Sequence, residues 1–290
     1  MFTPYATHIL ILIGIYALLG LSLNLVLGFT GLLNLGHIAF FGIGAYTSAL
    51  LTLAGVPFPL ALLAAGLLAS VFGFFLMLAV RKIKGDYLAL VTLGFSFVVY
   101  SIFLNWTGLT RGPLGIPGIP KPSLGMFTIA GNQGYLVLVL VIVVLTSLFL
   151  WRLTRSRFGR VLEAVRDDDL AASVLGKPVF RLQAQSMMLS SFIAGIAGSL
   201  FAHYLTYIDP TSFFLSEIIL VLTIVIIGGL GSLRGSVIAA VIILVIPEVL
   251  RFVGLPSAIV GPMRQILYAV LLIGVLLLKP RGLFGRVDLT

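Results

Sequence analysis

Long apolar runs, parted by short polar or Gly/Pro-rich breaks, set the pattern of this chain. The runs lie near residues 6–28, 31–54, 58–80, 86–104, 133–151, 184–207, 215–231, 236–253 and 264–279. A helix needs roughly 20 apolar residues to cross about 30 Å of hydrocarbon. The pattern therefore predicts an all-α polytopic membrane protein with about nine transmembrane helices, eight to ten once Gly-broken segments are allowed for. The first run has no Lys or Arg before it and stays apolar to Gly28, too long for a signal-peptide core, so it reads as a retained span. Trp106 and Trp151 fall just outside the fourth run and at the end of the fifth, where amphipathic indoles prefer the membrane interface.

Two connections exceed a tight turn. Residues 105–132 are rich in Gly and Pro, which forbid a continued helix. This stretch is either an ordered passive loop or a rim that receives something from outside. Residues 152–183 carry a helical pattern: Phe158, Val161, Leu162 and Val165 recur at i, i+3, i+4 and i+7. Asp167, Asp168 and Asp169 then supply cap and first-turn carboxylates for a second short helix, Leu170 to Leu175, which Gly176 and Pro178 stop. The pair reads as interfacial helices lying on lipid, or as a contact for a soluble partner, since three adjacent carboxylates are repelled by an anionic leaflet. For that contact Val161, Leu162, Val165, Val174 and Leu175 are expected to be exposed, as helix-in-groove docking requires. The organisation expected is one membrane domain over 1–290, an external loop at 105–132, a cytoplasmic loop at 152–183 and a cytoplasmic tail at 280–290.

Charge fixes the expected orientation. Of 18 Lys and Arg, 14 fall on the side of the 152–183 loop, leaving Arg111, Lys121, Arg251 and Arg264 opposite. The positive-inside rule then puts the N-terminus outside and the C-terminus in the cytoplasm. The same rule accounts for the net charge of +9 without a nucleic-acid partner. With 9% charged and 60% hydrophobic residues the chain is no water-soluble enzyme, and the absence of cysteine removes thiolate chemistry.

Catalysis has no foothold in the pattern. There is no HExxH, GxSxG or GxxxxGK[ST], so neither a membrane protease nor an intrinsic ATPase is expected. The ionisable groups in or beside the runs are His37, His203, Asp209, Glu217 and Glu248, and none is expected at a midplane, as an ion-coupled pump would need. Gly195, Gly198 and Ser199 read as helix-packing residues. The glycines of 28–46 and 228–236 mark either tight crossings or broken helices whose free backbone groups need protein or water around them.

Four strings give a resemblance: GLLNLGHIAFFGIGAY (31–46), KGDYLALVTLGF (84–95), GRVLEAVRDDDLAASVLGKP (159–178) and VLTIVIIGGLGSLRGSVIAA (221–240). They resemble the LivM-type inner-membrane permeases of bacterial ATP-binding-cassette importers for branched-chain amino acids, over about residues 16 to 284. The resemblance implies a non-catalytic half of a heteromeric translocation pathway in the bacterial inner membrane, without a cofactor of its own. Its implied partners are a second, LivH-like permease, two cytoplasmic ATPase subunits that bind the ATP, and a periplasmic or lipid-anchored solute-binding protein. LAASVLG (170–176) is similar to the A-A-x-x-x-G core through which importer permeases contact their ATPases, at Ala171, Ala172 and Gly176. The acidic residue usual before the two alanines is here Leu170, with Asp169 one place earlier. The coupling set is accordingly Glu163, Asp168, Asp169, Ala171, Ala172 and Gly176. Asn24, Asn34, His37 and Thr92, polar residues beside clustered glycines, are the candidates for lining the pathway. Similar permeases handle urea and short amides, and an ion-coupled secondary transporter is the other reading of such a chain.

Overall fold

The computed structural model describes residues 2–83, 85–124, 127–129, 131–252, 257–279 and 281–285. Its helices in chain order are α1 (Phe2–Thr30), α2 (His37–Leu53), α3 (Phe58–Ala79), α4 (Asp86–Asn105), α5 (Thr107–Thr110) and α6 (Asn132–Arg155). They continue as α7 (Arg157–Asp167), α8 (Asp169–Val174), α9 (Val179–Leu205), α10 (Leu215–Gly228), α11 (Leu233–Phe252) and α12 (Ser257–Leu278). Among the described residues strands are confined to two-residue pieces: β1 (Ile116–Pro117), β2 (Ser123–Leu124), β3 (Phe127–Thr128) and β4 (Tyr207–Ile208). β1 pairs antiparallel with β4, Ile116 opposite Ile208, and β2 with β3.

Among the described residues six helices are long and apolar enough to cross a membrane, in α1, α3, α4, α6, α9 and the segment Pro210–Gly228 that contains α10. The all-α polytopic architecture is as expected. Helix limits depart from the apolar runs where polar residues extend a helix or glycines break one: α6 runs on to Arg155, α9 starts at Val179, and α2 starts only at His37. Of the expected cytoplasmic tail, residues 280 and 286–290 lie outside the described residues, as does Lys84.

Uniform apolarity puts α1 at the centre. In its most apolar stretch 83% of residues are buried, against 17% in α6. It packs on α6, α9, α10 and α11, while α2, α3 and α9 form a second tight layer. Small residues let that layer close: a Cβ on Gly195 would lie 2.7 Å from the Ala65 carbonyl oxygen, and the Ser48 and Ser199 hydroxyls meet at 2.6 Å. The packing role expected of Gly195 and Ser199 is what the structure shows.

The two ends of the bundle differ. At one, β1 and β4 close the 105–132 connection onto the end of α9, and Asp209 caps the turn Pro210–Phe213 that leads into α10. Its carboxylate accepts the Ser212 amide at 3.0 Å and the Ser212 and Thr211 hydroxyls at 2.6 and 2.8 Å. Burial acts to raise this carboxyl, but the hydrogen bonds outweigh it and hold it below the usual range. At the other end lie α7, α8, Gly28 and the segment 281–285, whose Leu283 and Phe284 amides donate to the Ile227 and Gly228 carbonyls at 2.8 and 3.2 Å. Trp106, which caps α4, and Trp151, in the last turns of α6, are both exposed, with the Arg155 guanidinium 4.6 Å over the Trp151 ring.

Candidate functional site

Both glycine clusters are broken helices. Between α1 and α2 the backbone of 31–36 leaves helical geometry in the interior and is satisfied by side chains. The Leu35 amide donates to Thr92 Oγ1 at 3.0 Å and the Gly36 amide to Asn34 Oδ1 at 3.0 Å. Between α10 and α11 the chain turns through Gly229 at φ +98°, a region an L side chain rarely adopts. Asn24, reaching across from α1, holds that turn: its Nδ2 donates to the Gly229 and Ser232 carbonyls at 3.2 and 3.1 Å and to Ser236 Oγ at 2.7 Å. Its Oδ1 accepts the Gly231 amide at 2.9 Å.

This geometry changes the part played by the four pathway candidates. Asn24, Asn34, His37 and Thr92 are all 0% exposed. Asn34 Nδ2 lies 3.5 Å from the Met187 sulfur and His37 Nε2 lies 2.8 Å from Ser22 Oγ, whereas His37 Nδ1 is buried without a hydrogen-bond partner among the described residues. Thr92 and Asn34 accept backbone amides at the first break, with His37 opening α2 beside it, and Asn24 holds the second.

The helix pair of 152–183 forms where the sequence puts it. Ser156 caps α7 and Asp168 caps α8, accepting the Leu170 and Ala171 amides at 2.9 Å each. Asp167 ends α7, and Asp169 stands in the first turn of α8. Gly176 leaves α8 at φ +75° with open space around it, so its conformation and not its size is what matters. One expectation fails. Leu162 and Val165, expected on the exposed docking face, are 0% and 2% exposed because α7 packs on α1, α6 and α9. Periodicity reports that a face is buried without saying by what. The apolar surface left free is that of α8, with Leu170, Val174 and Leu175 at 68%, 87% and 77% exposed. Ala171 and Gly176 are exposed with them, whereas Ala172 is buried. Beside α8 a groove of about 530 Å³ is lined by Gly31, Arg81, Asp167, Asp168, Asp169 and Gln183. Glu163 lines a separate cavity of about 140 Å³ against Ser232 and Arg234, next to the second break.

α7 is keyed into the bundle. Arg166 pairs with Asp167 at 2.7 Å and donates from Nη1 to the Gly28 carbonyl at 2.9 Å, near the last turn of α1.

A polar cluster that sequence reasoning placed elsewhere lies between α1, α10, α11 and α12. Glu217 was expected near a span end because it opens its apolar run. Instead its carboxylate accepts the Tyr16 hydroxyl at 2.6 Å. Tyr16 stands halfway along the span Pro4–Thr30, so Glu217 is at mid-depth. The reason is that α10 is short and is preceded by the turn Pro210–Phe213, whose Pro210 and Phe213 are buried. Arg264, expected on the outer surface, donates to Glu248 at 3.2 Å, and Glu248 also accepts the Tyr5 hydroxyl. The signal available in the sequence was a tyrosine on an otherwise apolar helix and an Arg and two Glu within apolar runs, which the bilayer tolerates only when paired.

Comparison with known proteins gives a consistent result. Residues 5–276 match the family described as branched-chain amino acid transport system / permease component. The chain is 41% identical over 261 residues to the high-affinity branched-chain amino acid transport system permease protein LivM of Escherichia coli (strain K12), covering 82% of this chain and 61% of that protein. It thus spans about three fifths of the length of that relative and of its Salmonella typhimurium counterpart. It is 29% identical over 323 residues to the probable branched-chain amino acid transport permease protein LivM of Methanocaldococcus jannaschii, covering 95% of this chain and 92% of that one. Against the LivH permease protein of E. coli K12 it is 29% identical over 290 residues, covering 93% and 91%. No solved structure matches it.

Proposed function

The chain belongs to the branched-chain amino acid transport permease family, and on that footing we propose that it is one permease subunit of an ATP-binding-cassette importer for branched-chain amino acids. It forms half of the translocation pathway and performs no catalysis. A second, LivH-like permease completes the pathway, two cytoplasmic ATPase subunits bind and hydrolyse the ATP, and a solute-binding protein delivers substrate to the 105–132 rim. The chain crosses the inner membrane nine times, with its N-terminus outside and the 152–183 loop and C-terminus in the cytoplasm. The lysine and arginine distribution supports that orientation.

The observation that carries the coupling role is the Arg166–Gly28 tie. An element that presents apolar α8 outward while α7 is anchored in the bundle can pass a displacement inward. The route runs from α8 through Asp168 and α7 to Gly28, along the last turns of α1 to Asn24, and so to the turn at Gly229. Asp168, Asp169, Ala171 and Gly176 form the ATPase-facing part, Ala172 seats α8 on the bundle, and Glu163 flanks the second break. Asn24, Asn34, His37 and Thr92 act from behind the pathway wall, holding the breaks that rearrange when it opens. The exposed apolar side chains of α3, α4 and α6 carry no part of this route.

The test is uptake of radiolabelled leucine, isoleucine and valine into vesicles holding the chain, the second permease and the solute-binding protein, with and without the candidate ATPase subunits. Uptake that requires those subunits and ATP is expected. Uptake that survives their loss and collapses with an ion gradient would overturn the importer, and selective uptake of urea or short amides would overturn the substrate.

A further inference from the structure

The cavity bordered by Glu217 and Arg264 has a volume of about 250 Å³ and follows α1 from Ile9 to Tyr16. Seven residues of helix rise make that about 10 Å of depth, which ends at the middle of the span. Two of its groups keep hydrogen-bonding capacity in reserve. Among the described residues the Glu217 carboxylate has Tyr16 as its one hydrogen-bond partner, on one of its two oxygens. The Arg264 guanidinium, with five N–H donors, gives one bond to Glu248, and its Nε is buried without a partner. Glu248 and Arg264 balance one another, which leaves the Glu217 carboxylate and the spare Arg264 donors lining one cavity. The rest of the wall includes Ile9, Leu12, Leu220 and Leu244, an aliphatic surface.

Charge left unmatched at such a depth is costly unless a partner arrives. A lone cation would satisfy Glu217 and leave the buried Arg264 Nε without a partner. A lone anion would meet Arg264 and be repelled by Glu217. A zwitterion answers both, and an aliphatic tail fits what remains of the wall. We propose that this cavity is a transient binding subsite for an aliphatic α-amino acid within the permease itself, with Glu217 receiving the ammonium, Arg264 the carboxylate and the leucine-lined wall the side chain. The subsite rests on the amino-acid reading of the function and adds to it a station for substrate inside the membrane. Tyr16 is then a positioning residue, fixing the Glu217 rotamer from α1.

The absence of native cysteine makes a direct test available. Ser216 also lines the cavity, so a Ser216→Cys variant, in membrane vesicles that contain the full chain with its partner subunits, reports occupancy through its rate of modification by a small thiol reagent. L-leucine at about ten times its apparent dissociation constant is expected to slow modification about tenfold, because only the unoccupied fraction reacts. At the same concentration 4-methylpentanoate, which lacks the amine, and isoamylamine, which lacks the carboxylate, should not protect. Adding Glu217→Gln, which still accepts the Tyr16 hydroxyl, should abolish protection by leucine. Absence of protection by leucine, equal protection by either half-molecule, or protection unchanged in the Glu217→Gln background would overturn the subsite. Leucine uptake by the same vesicles separates the two claims. Uptake without protection removes the subsite and leaves the importer, whereas loss of both in vesicles that take up urea instead removes the amino-acid reading with it.

Discussion

The Arg166 guanidinium donates to the Gly28 carbonyl oxygen at 2.9 Å, joining residues 138 positions apart in the chain. The carbonyl lies two residues from the end of α1 and has lost its helical partner there, so the bond satisfies a helix end and fixes α7 to it at once. Arg166→Gln shortens the reach and removes the charge, a loss of about 2 kcal/mol for a charge-assisted hydrogen bond. The expected result is normal membrane insertion with ATP-driven uptake reduced about thirtyfold, the equivalent of that energy. Full uptake by this variant, at wild-type membrane levels, would remove the tie from the coupling route.

Orientation yields a second expectation. Lys121 and Lys177 flank opposite ends of α9, because Ile119 is bonded to Thr206 just past its C-terminus and Lys177 precedes its first residue. At 1.5 Å per residue the ends of α9, 27 residues long, are about 40 Å apart. With the N-terminus outside, a membrane-impermeant thiol reagent should label Lys121→Cys in intact cells and spare Lys177→Cys. Labelling of the second and not the first would invert the topology.

How much of this was legible in the sequence depends on what each signal measures. Hydropathy measures whether a segment is apolar, and each apolar run does coincide with a helix. Gly and Pro measure where a helix cannot continue, which marked 28–46 and 228–236 as tight crossings or breaks, resolved by the structure as breaks at 31–36 and 229–232, and placed the end of α8 at Gly176. Neither signal measures depth or partner. Glu217 was misplaced because its depth is set by the buried turn before α10, a tertiary feature. The apolar face of α7 was assigned to a partner protein because Leu162 and Val165 look the same in sequence whether a foreign groove or α1 covers them. The bonds of Asn24 to the second break could not be read from the sequence, since nothing local to it announces a turn some 200 positions away.

Asp209 gives a pH dependence with a definite sign. Its carboxyl is held below the usual range by the Ser212 and Thr211 hydrogen bonds against the opposing effect of burial. A depressed native value means that the stabilisation is complete above the ordinary carboxylate range and is lost as pH falls through the native one. The thermal midpoint of Asp209→Asn should therefore lie below that of the unmodified chain at neutral pH, and the gap should close on acidification. A gap of constant size down to strongly acidic pH would show that the charge of Asp209 contributes nothing to the turn.

Gly176 separates conformation from contact. Nothing lies within 4 Å of where its Cβ would be, yet its φ is +75°. A β-branched residue held there costs about 1–3 kcal/mol of backbone strain, whereas asparagine adopts this region more readily. Gly176→Val should lose copurifying ATPase subunits and uptake while inserting normally, and Gly176→Asn should retain both. Ala172→Arg should resemble the valine variant by a different route, because Ala172 is buried at 3% exposure and a guanidinium there would lift α8 off the bundle. Wild-type ATPase copurification and uptake from Gly176→Val and Ala172→Arg together would show that α8 is not the coupling element.

Asn24 tests the broken helix itself. Four backbone or hydroxyl partners of the 229–236 segment converge on one amide from α1, all within 3.2 Å. In water a freed amide or carbonyl finds a solvent partner, but inside the bundle it does not, so the cost of removing the side chain falls on the groups left behind. Leucine has nearly the shape of asparagine, so Asn24→Leu removes the bonds with little change in volume. The Gly231 N–H and the Gly229 and Ser232 carbonyls then lose this partner, a penalty of about 1–3 kcal/mol for a buried unsatisfied group. Asn24→Gln keeps the chemistry but moves the amide one methylene outward, into a turn whose Gly28 side is already filled by Asn24 itself. A lower thermal midpoint is expected for both variants in detergent, larger for leucine, with faster proteolysis at 229–232 as the local readout. If Asn24→Leu melts with the unmodified chain and is cleaved no faster, the turn is held by the Leu283 and Phe284 amides on Ile227 and Gly228, and α1 does not govern it.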